Sequence, residues 1–308
     1  MRFKLPARLR RWFGLEPRPP QAQVPVSAGE AGARGKEGSA QTAIANPRER
    51  TLEQAIDFTF LCADMYLALP QNGLEAFKDA TIMEIGPGQD LGVLLVLAGL
   101  GSGKGVAVDR FFCDWDPSYH PAFYSTLVER AEARYPGVRF EALRDVVDAG
   151  GHGGPRLQIV RSGLDDLKAL GDASVTISYS NAALEHLDRP REGLLELGRV
   201  SRKGGLGFHQ IDFRDHRDFS RPLEFLTMTD EEFLEKAEAA SYSLGNRLRP
   251  SEYLQLFNDA GFGTTFTPNM FAEPAYLAEV TNRLNPRYRS FGEEELRQIS
   301  GRVFTTRT

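Results

Sequence analysis

The stretch Thr81–Arg110, TIMEIGPGQDLGVLLVLAGLGSGKGVAVDR, constrains the fold more than any other part of the chain. Thr81–Ile85 is short, apolar and partly β-branched, as suits an interior parallel strand. Gly86-Pro87-Gly88 follows, where the missing Cβ lets backbone come close to a ligand. Asp90–Leu100 reads as a helix, and Val106-Ala107-Val108-Asp109 as a second strand ending in an acid. In an open α/β sheet that strand tip borders the ligand crevice, where Asp109 could bind ribose hydroxyls.

Two cofactor classes use this layout. A dinucleotide fold wants G-x-G-x-x-G with a pyrophosphate on the helix N-terminus. Here the third glycine, Gly92, comes one residue late. Glu84 stands before the turn and Asp90 within it, and two carboxylates would repel a pyrophosphate. They suit a ligand with a cationic amine and a sulfonium. The segment therefore resembles motif I of the class I S-adenosylmethionine-dependent methyltransferases, E-x-G-x-G followed by an acid ending the second strand. The resemblance implies S-adenosyl-L-methionine as cofactor, held by Glu84, Gly86, Pro87, Gly88, Asp90, Asp109 and Arg110, with Ser180 and Asn181 contributing after the fourth strand.

With 308 residues the chain can hold one large α/β domain or two small ones. A hydrophobic content of 41% with 26% charged residues marks a globular rather than a membrane or disordered body. A net charge of -5 gives no reason to expect nucleic-acid binding. Cys62 and Cys113 lie in no C-x-x-C and can build no disulfide framework, which fits a reducing cytoplasm. The segment 1–18 mixes Arg and Lys with Phe3, Leu5, Leu9, Trp12, Phe13 and Leu15. Met1–Leu15 is read either as a basic amphipathic anchor on the inner face of an anionic membrane or as a solvated tail. Residues 19–45, rich in Pro, Gly, Ala, Gln and Ser, read as a flexible linker, so 1–45 is set apart from a domain spanning 46–308.

Residues 49–69 carry apolar side chains at helical spacing, starting from Thr51 or Asn46 and stopped by Pro70. Phe111–Tyr119 is an aromatic and acidic loop, read as a stacking surface for adenine or a sugar ring or as a core cluster. His120–Tyr135 is expected as a helix, and Val138–Leu143 as a short strand or an extension leading into the Gly-rich loop Ala149–Pro155. Later strands are expected at Leu157–Arg161, Ser174–Ser180, Leu206–Phe213, Gly261–Pro268 and Arg302–Thr306. Lys203-Gly204-Gly205 is expected to make a tight turn into Leu206–Phe213, the fifth strand of the chain. Arg214–Ser243 is expected to be largely helical, within an acceptor-side insertion over 214–260.

Ser180-Asn181-Ala182-Ala183-Leu184-Glu185-His186-Leu187, then Leu197-Gly198-Arg199-Val200 and Lys203-Gly204-Gly205, resemble the signature of the type 11 methyltransferases after their fourth strand. The expected fold class is therefore α/β: a doubly wound, seven-stranded, mostly parallel Rossmann-like methyltransferase sheet, its last strand antiparallel, with a helical insertion between strands 5 and 6. Ser162-Gly163 stands where that family often has an Asp touching adenine, which leaves the adenine contacts open. His209-Gln210-Ile211-Asp212-Phe213-Arg214-Asp215-His216, Leu223-Glu224-Phe225-Leu226 and Asn246-Arg247-Leu248-Arg249 resemble methyltransferases of bacterial surface-polysaccharide clusters. That resemblance implies a sugar or glycan acceptor.

An alcohol holds its proton tightly, so methyl transfer to oxygen needs a positioned base. His216 is the first candidate, with Asp212 or Asp215 orienting its ring; His209 is read equally as a core histidine or as catalytic. His209, Asp212, Asp215 and His216 also carry donors suited to Mg2+ or Mn2+, but strand alternation puts His209 and Asp212 on opposite faces, and no metal is assigned. Glu185-His186 is read as a packing and capping element. Arg214, Arg217, Arg221, Arg247 and Arg249 could bind an acidic glycan or simply coat a solvated face. The function expected is sugar or glycan O-methylation in the cytoplasm. The alternatives are a methyltransferase for a polyketide-type or quinone-type small molecule, or a silent cofactor-binding scaffold. The oligomeric state is left open.

Overall fold

The computed structural model of the protein describes residues 50–70, 73–101, 103–240 and 243–308. Met1–Leu15 and the segment 19–45, with the readings attached to them, lie outside the described residues.

The chain runs α1 (Leu52–Ala68), β1 (Thr81–Ile85), α2 (Gly92–Leu100), β2 (Lys104–Val108), α3 (His120–Arg134), α4 (Glu141–Ala149), β3 (Leu157–Val160) and β4 (Val175–Asn181). It continues with α5 (Pro190–Val200), β5 (Ser201–Asp212), α6 (Asp230–Ala239), α7 (Pro250–Asp259), β6 (Phe262–Phe271), α8 (Pro274–Thr281), α9 (Glu293–Arg297) and β7 (Gln298–Arg307). All seven strands form one sheet in the order β3-β2-β1-β4-β5-β7-β6. β1 to β5 are mutually parallel, and β7 lies antiparallel between β5 and β6. The fold class expected from the sequence is the one found.

The sheet's two-residue period sorts its side chains into two cores. Ile82, Ala107, Ile177, Tyr179 and Phe208 face α1 to α4. Met83, Ile85, Val106, Val108, Val160, Ile211 and Val303 face α5 and α7. α1 starts at a capping box, Thr51 Oγ1 accepting from Gln54 N and Gln54 Oε1 from Thr51 N. Strand order reverses between β1 and β4, which opens the crevice beyond their C-terminal ends.

Four local expectations are corrected. Glu141–Ala149 is a helix rather than part of a strand: Ala142, Leu143 and Val146 fall on one buried face at helical spacing. Lys203-Gly204-Gly205 makes no turn, because β5 begins at Ser201 and absorbs them as an irregularity opposite Val175 and Ile177. Arg214–Ser243 is mostly loop, with a 3-10 turn at Glu224–Thr227 and helix only over Asp230–Ala239. β7 is longer than Arg302–Thr306 and pairs with β5 from Ser300 to Thr306.

A third core was not anticipated. Leu223, Phe225 and Leu226 from the segment after β5 pack with Ala272, Leu277, Val280, Leu284, Tyr288 and Leu296 from the segment between β6 and β7. Arg249 fastens this unit to the sheet. It is fully buried, and its guanidinium donates to the carbonyls of Phe213 (3.1 Å), Glu295 (3.1 Å), Leu296 (3.1 Å) and Gln298 (2.6 Å). Burial lowers its pKa to about 10.

Candidate functional site

The parallel ladder carries on past β1, with Gly86 N donating to the Val108 carbonyl at 2.9 Å. Gly86 then takes φ +68°, and a Cβ there would lie 2.6 Å from that of Ala183 in the turn after β4. Gly88 takes φ +78°, and a Cβ there would meet nothing within 4 Å. The first glycine is thus required by the fit between two turns. The second leaves open space at the crevice.

Three carboxyl groups gather around this turn. Glu84 is buried on the α1 side of β1, in step with Ile82, and its pKa is pushed up to about 8. Burial is the main cause, and Asp90 and Asp109 add repulsion. The Tyr179 hydroxyl beside it pulls the other way, yet Glu84 Oε2 and Tyr179 Oη each lack a hydrogen bond of normal geometry. Asp90 Oδ1 accepts from Gly92 N (3.0 Å) at the start of α2, and Oδ2 from the Tyr119 hydroxyl (3.0 Å). Asp109, at the tip of β2, accepts from Phe111 N at 2.7 Å. Burial raises the pKa of both aspartates.

Sequence reasoning missed Arg50, which precedes α1. Its guanidinium sits 3.7 Å from the centre of the Phe58 ring and is attracted by Asp90 and Tyr119. It brings a cation to the edge of the carboxylate cluster.

Other expected residues are placed differently. The Arg110 side chain is taken up by Asp165 (3.3 Å) and Asp188 rather than standing free beside Asp109. Ser180 and His209 point to the α7 side of the sheet, opposite Glu84: Ser180 Oγ and His209 Nδ1 are 2.9 Å apart, and the imidazole stacks on Phe257. His209 is 1% exposed and its pKa falls to about 3, so it is a core histidine. Its neighbour Gln210 takes the cofactor side instead, accepting from Asn269 Nδ2 (2.9 Å) and Arg302 Nε (3.2 Å). Asn181 ends β4 exposed, paired in register with Gln210.

The aromatic loop after β2 is largely a cluster of its own. Trp115, Tyr124, His120 and His152 stack or meet edge-on at centroid distances of 4.6 to 5.9 Å. His120 Nδ1 accepts from Asp116 N (2.7 Å), so its Nε2 donates to the Gln89 carbonyl (2.9 Å). The core reading of this loop holds for these rings. Phe111, 86% exposed next to Asp109, remains a surface on which a ring could stack.

The turn Leu184–His186 after β4 meets the loop after β5 at the same end of the sheet. Asp212 and Asp215 do not orient His216. Each belongs to a D-x-R unit in which the carboxylate takes the backbone N–H and the guanidinium of the arginine two residues on: Arg214 for Asp212, Arg217 for Asp215. The His216 ring lies 4.9 Å from that of His186, edge to face. Burial lowers its pKa, which keeps the ring neutral and able to accept a proton. Glu185 is buried beside them and accepts from Asp212 N at 3.2 Å. The Glu185-His186 dipeptide, read from the sequence as packing, thus borders the candidate base.

The arginines read as ligands for an acidic glycan are engaged within the chain. Arg221 pairs with Glu224 and Glu279, Arg247 with Asp230, and Arg249 is buried on carbonyls.

No protein-family model matches the chain, and no curated protein matches it. Among solved structures it is similar to an S-adenosylmethionine-dependent methyltransferase from Mesorhizobium loti, at 14% identity and TM-score 0.43 over 83% of this chain and 100% of that one. It is similar to a SAM-dependent methyltransferase from Methanosarcina mazei at 16% identity and TM-score 0.42, over 75% and 93%. It is similar to the [4+2]-cyclase SpnF at 12% identity and TM-score 0.42, over 85% and 84%. At these scores none of the three decides the function of this chain. No helix among the described residues is long and apolar enough to cross a membrane.

Proposed function

We propose that the chain is an S-adenosylmethionine-dependent methyltransferase acting on a hydroxyl oxygen of a sugar or glycan intermediate. The observation that carries this is the convergence of Glu84, Asp90 and Asp109 on a glycine turn, with Glu84 Oε2 buried and unpaired. A pyrophosphate would meet three carboxyl groups there. A ligand bearing an ammonium and a sulfonium answers them, and Arg50 would meet its carboxylate. Gly88 leaves room for its approach, and Asp109 suits ribose hydroxyls.

Bound here, the cofactor would supply a methyl group already activated on sulfur. The protein's remaining work is alignment and proton removal. As the acceptor oxygen gains the methyl group, its proton passes to His216 Nε2, a buried atom without a partner. The polar cluster of Glu185, His186 and His216 suits a hydroxyl-bearing acceptor. The sugar class rests on the sequence resemblance and on that polarity.

Calorimetry with S-adenosylhomocysteine and with NAD tests the cofactor reading. The expected result is binding of the first and not the second, and the reverse would overturn it. S-adenosylhomocysteine release on a panel of nucleotide-linked and lipid-linked sugars tests the acceptor. Turnover confined to apolar phenols in a parallel panel would replace the sugar class.

A further inference from the structure

We infer that Glu185, His186 and His216 form a binding site for a divalent transition-metal ion at the acceptor mouth. Each offers one ligand atom, and these atoms lie within 4.8 Å of one another. The three come from two separate turns, so only the tertiary fold joins them.

Two of the three donors are unsatisfied in a way that points to a ligand. Glu185 is 2% exposed; its Oε1 takes the Asp212 N–H, while Oε2 is buried with no partner. Such an oxygen loses its hydration on burial and gains nothing in return. His216 Nε2 is likewise buried and unpartnered. A neutral imidazole with an unpartnered ring nitrogen can present that lone pair to a metal. A cation between Glu185 and His216 satisfies both atoms at once, and among the described residues no charged side chain forms a salt bridge with the Glu185 carboxyl.

The donor set decides the class of ion. One carboxylate oxygen and two imidazole nitrogens suit Zn2+ or a neighbouring first-row dication, with a coordination position left open. Ligand bonds of about 2.0–2.2 Å require the donors to close together slightly from their present spacing. His186 is exposed and can swing to do so. The other His-containing cluster, Cys113, His120 and His152, lacks this availability, since both ring nitrogens of His120 already carry hydrogen bonds.

Metal binding stands independently of methyl transfer; only its use rests on the function proposed above. With the ion present, a hydroxyl oxygen of the acceptor in the open position would pass its proton more readily to bulk water, and His216 would serve as ligand rather than base. An acceptor with two adjacent oxygens would bind best.

The experiment uses untagged full-length protein freed of metal by chelator and dialysis. Zn2+ is titrated by calorimetry and Co2+ by its visible absorption. One ion per chain is expected, with Zn2+ raising the thermal midpoint. His186→Ala, His216→Ala and Glu185→Gln should each weaken Zn2+ binding about 10-fold or more. His186→Ala is the decisive variant, because an exposed side chain can be removed without loss of fold. His152→Ala should bind as the wild type does. Absence of binding, unchanged affinity in His186→Ala, or loss in His152→Ala alone would overturn the inference. S-adenosylhomocysteine affinity is measured on the same samples. Retained cofactor binding without metal binding removes this site and leaves the proposed function; metal binding without cofactor binding does the opposite.

Discussion

The two sides of the crevice are built by different means. On the cofactor side, one continuous stretch of chain from β1 through β2 supplies Glu84, Gly86, Gly88, Asp90 and Asp109. Asp90 and Asp109 each take the backbone N–H two residues on, and the longer hydrogen bonds, Gly86 N to the Val108 carbonyl and Tyr119 to Asp90, stay within one stretch of chain. On the acceptor side, Glu185 and His186 come from the turn after β4 and His216 from the loop after β5, and that loop is held from outside by Arg249 and the third core. The cofactor side is a motif, whereas the acceptor side is an assembly. A local motif withstands distant changes; an assembly depends on each of its ties.

The largest expected effect breaks the assembly alone. Arg249→Ala removes four hydrogen bonds to buried backbone carbonyls and should lower stability by about 3–5 kcal/mol. Amide exchange should speed up over 213–223 and 295–298 while 81–92 stays protected. Equal loss of protection in both regions would show that the two sides do not behave separately.

A smaller effect probes the motif. Asp109→Ala should weaken S-adenosylhomocysteine by about 1.5–3 kcal/mol, the value of hydrogen bonds to a charged group, with acceptor KM unchanged. An unchanged calorimetric affinity would remove the ribose assignment.

The smallest effect sharpens the electrostatics of the motif. The Glu84 carboxyl titrates near 8 in the free protein because burial disfavours its charge. A cationic ligand favours the charged form, so binding releases a proton and affinity rises with pH until the group is ionised. Between pH 7 and pH 8 the gain should be about fivefold, roughly 1 kcal/mol, for a single group titrating there. Stability carries the opposite sign: a raised folded-state pKa makes Glu84 costly to the free fold as pH rises from the ordinary carboxyl range toward 8. Glu84→Gln should therefore flatten the pH profile of binding relative to wild type and raise the thermal midpoint at pH 8. A profile identical to wild type would place the titration elsewhere.

The sequence by itself determined the sheet and the cofactor turn. Apolar runs such as Thr81–Ile85 can only be interior strands, and the offsets from Glu84 to Asp90 are set by bonding between near neighbours in the chain. Proximity in sequence there equals proximity in space. Tertiary structure decided the rest. A one-residue step along β5 exchanges His209 for Gln210 on the cofactor side, and composition does not show which face is which. Asp212 and Asp215 look free to orient a histidine until the arginines two residues on are seen to claim them. Glu185, His186 and His216 meet only because β4 and β5 end side by side. The third core formed only because two segments, each too short to bury its own apolar face, were brought together by the antiparallel pairing of β7 between β5 and β6.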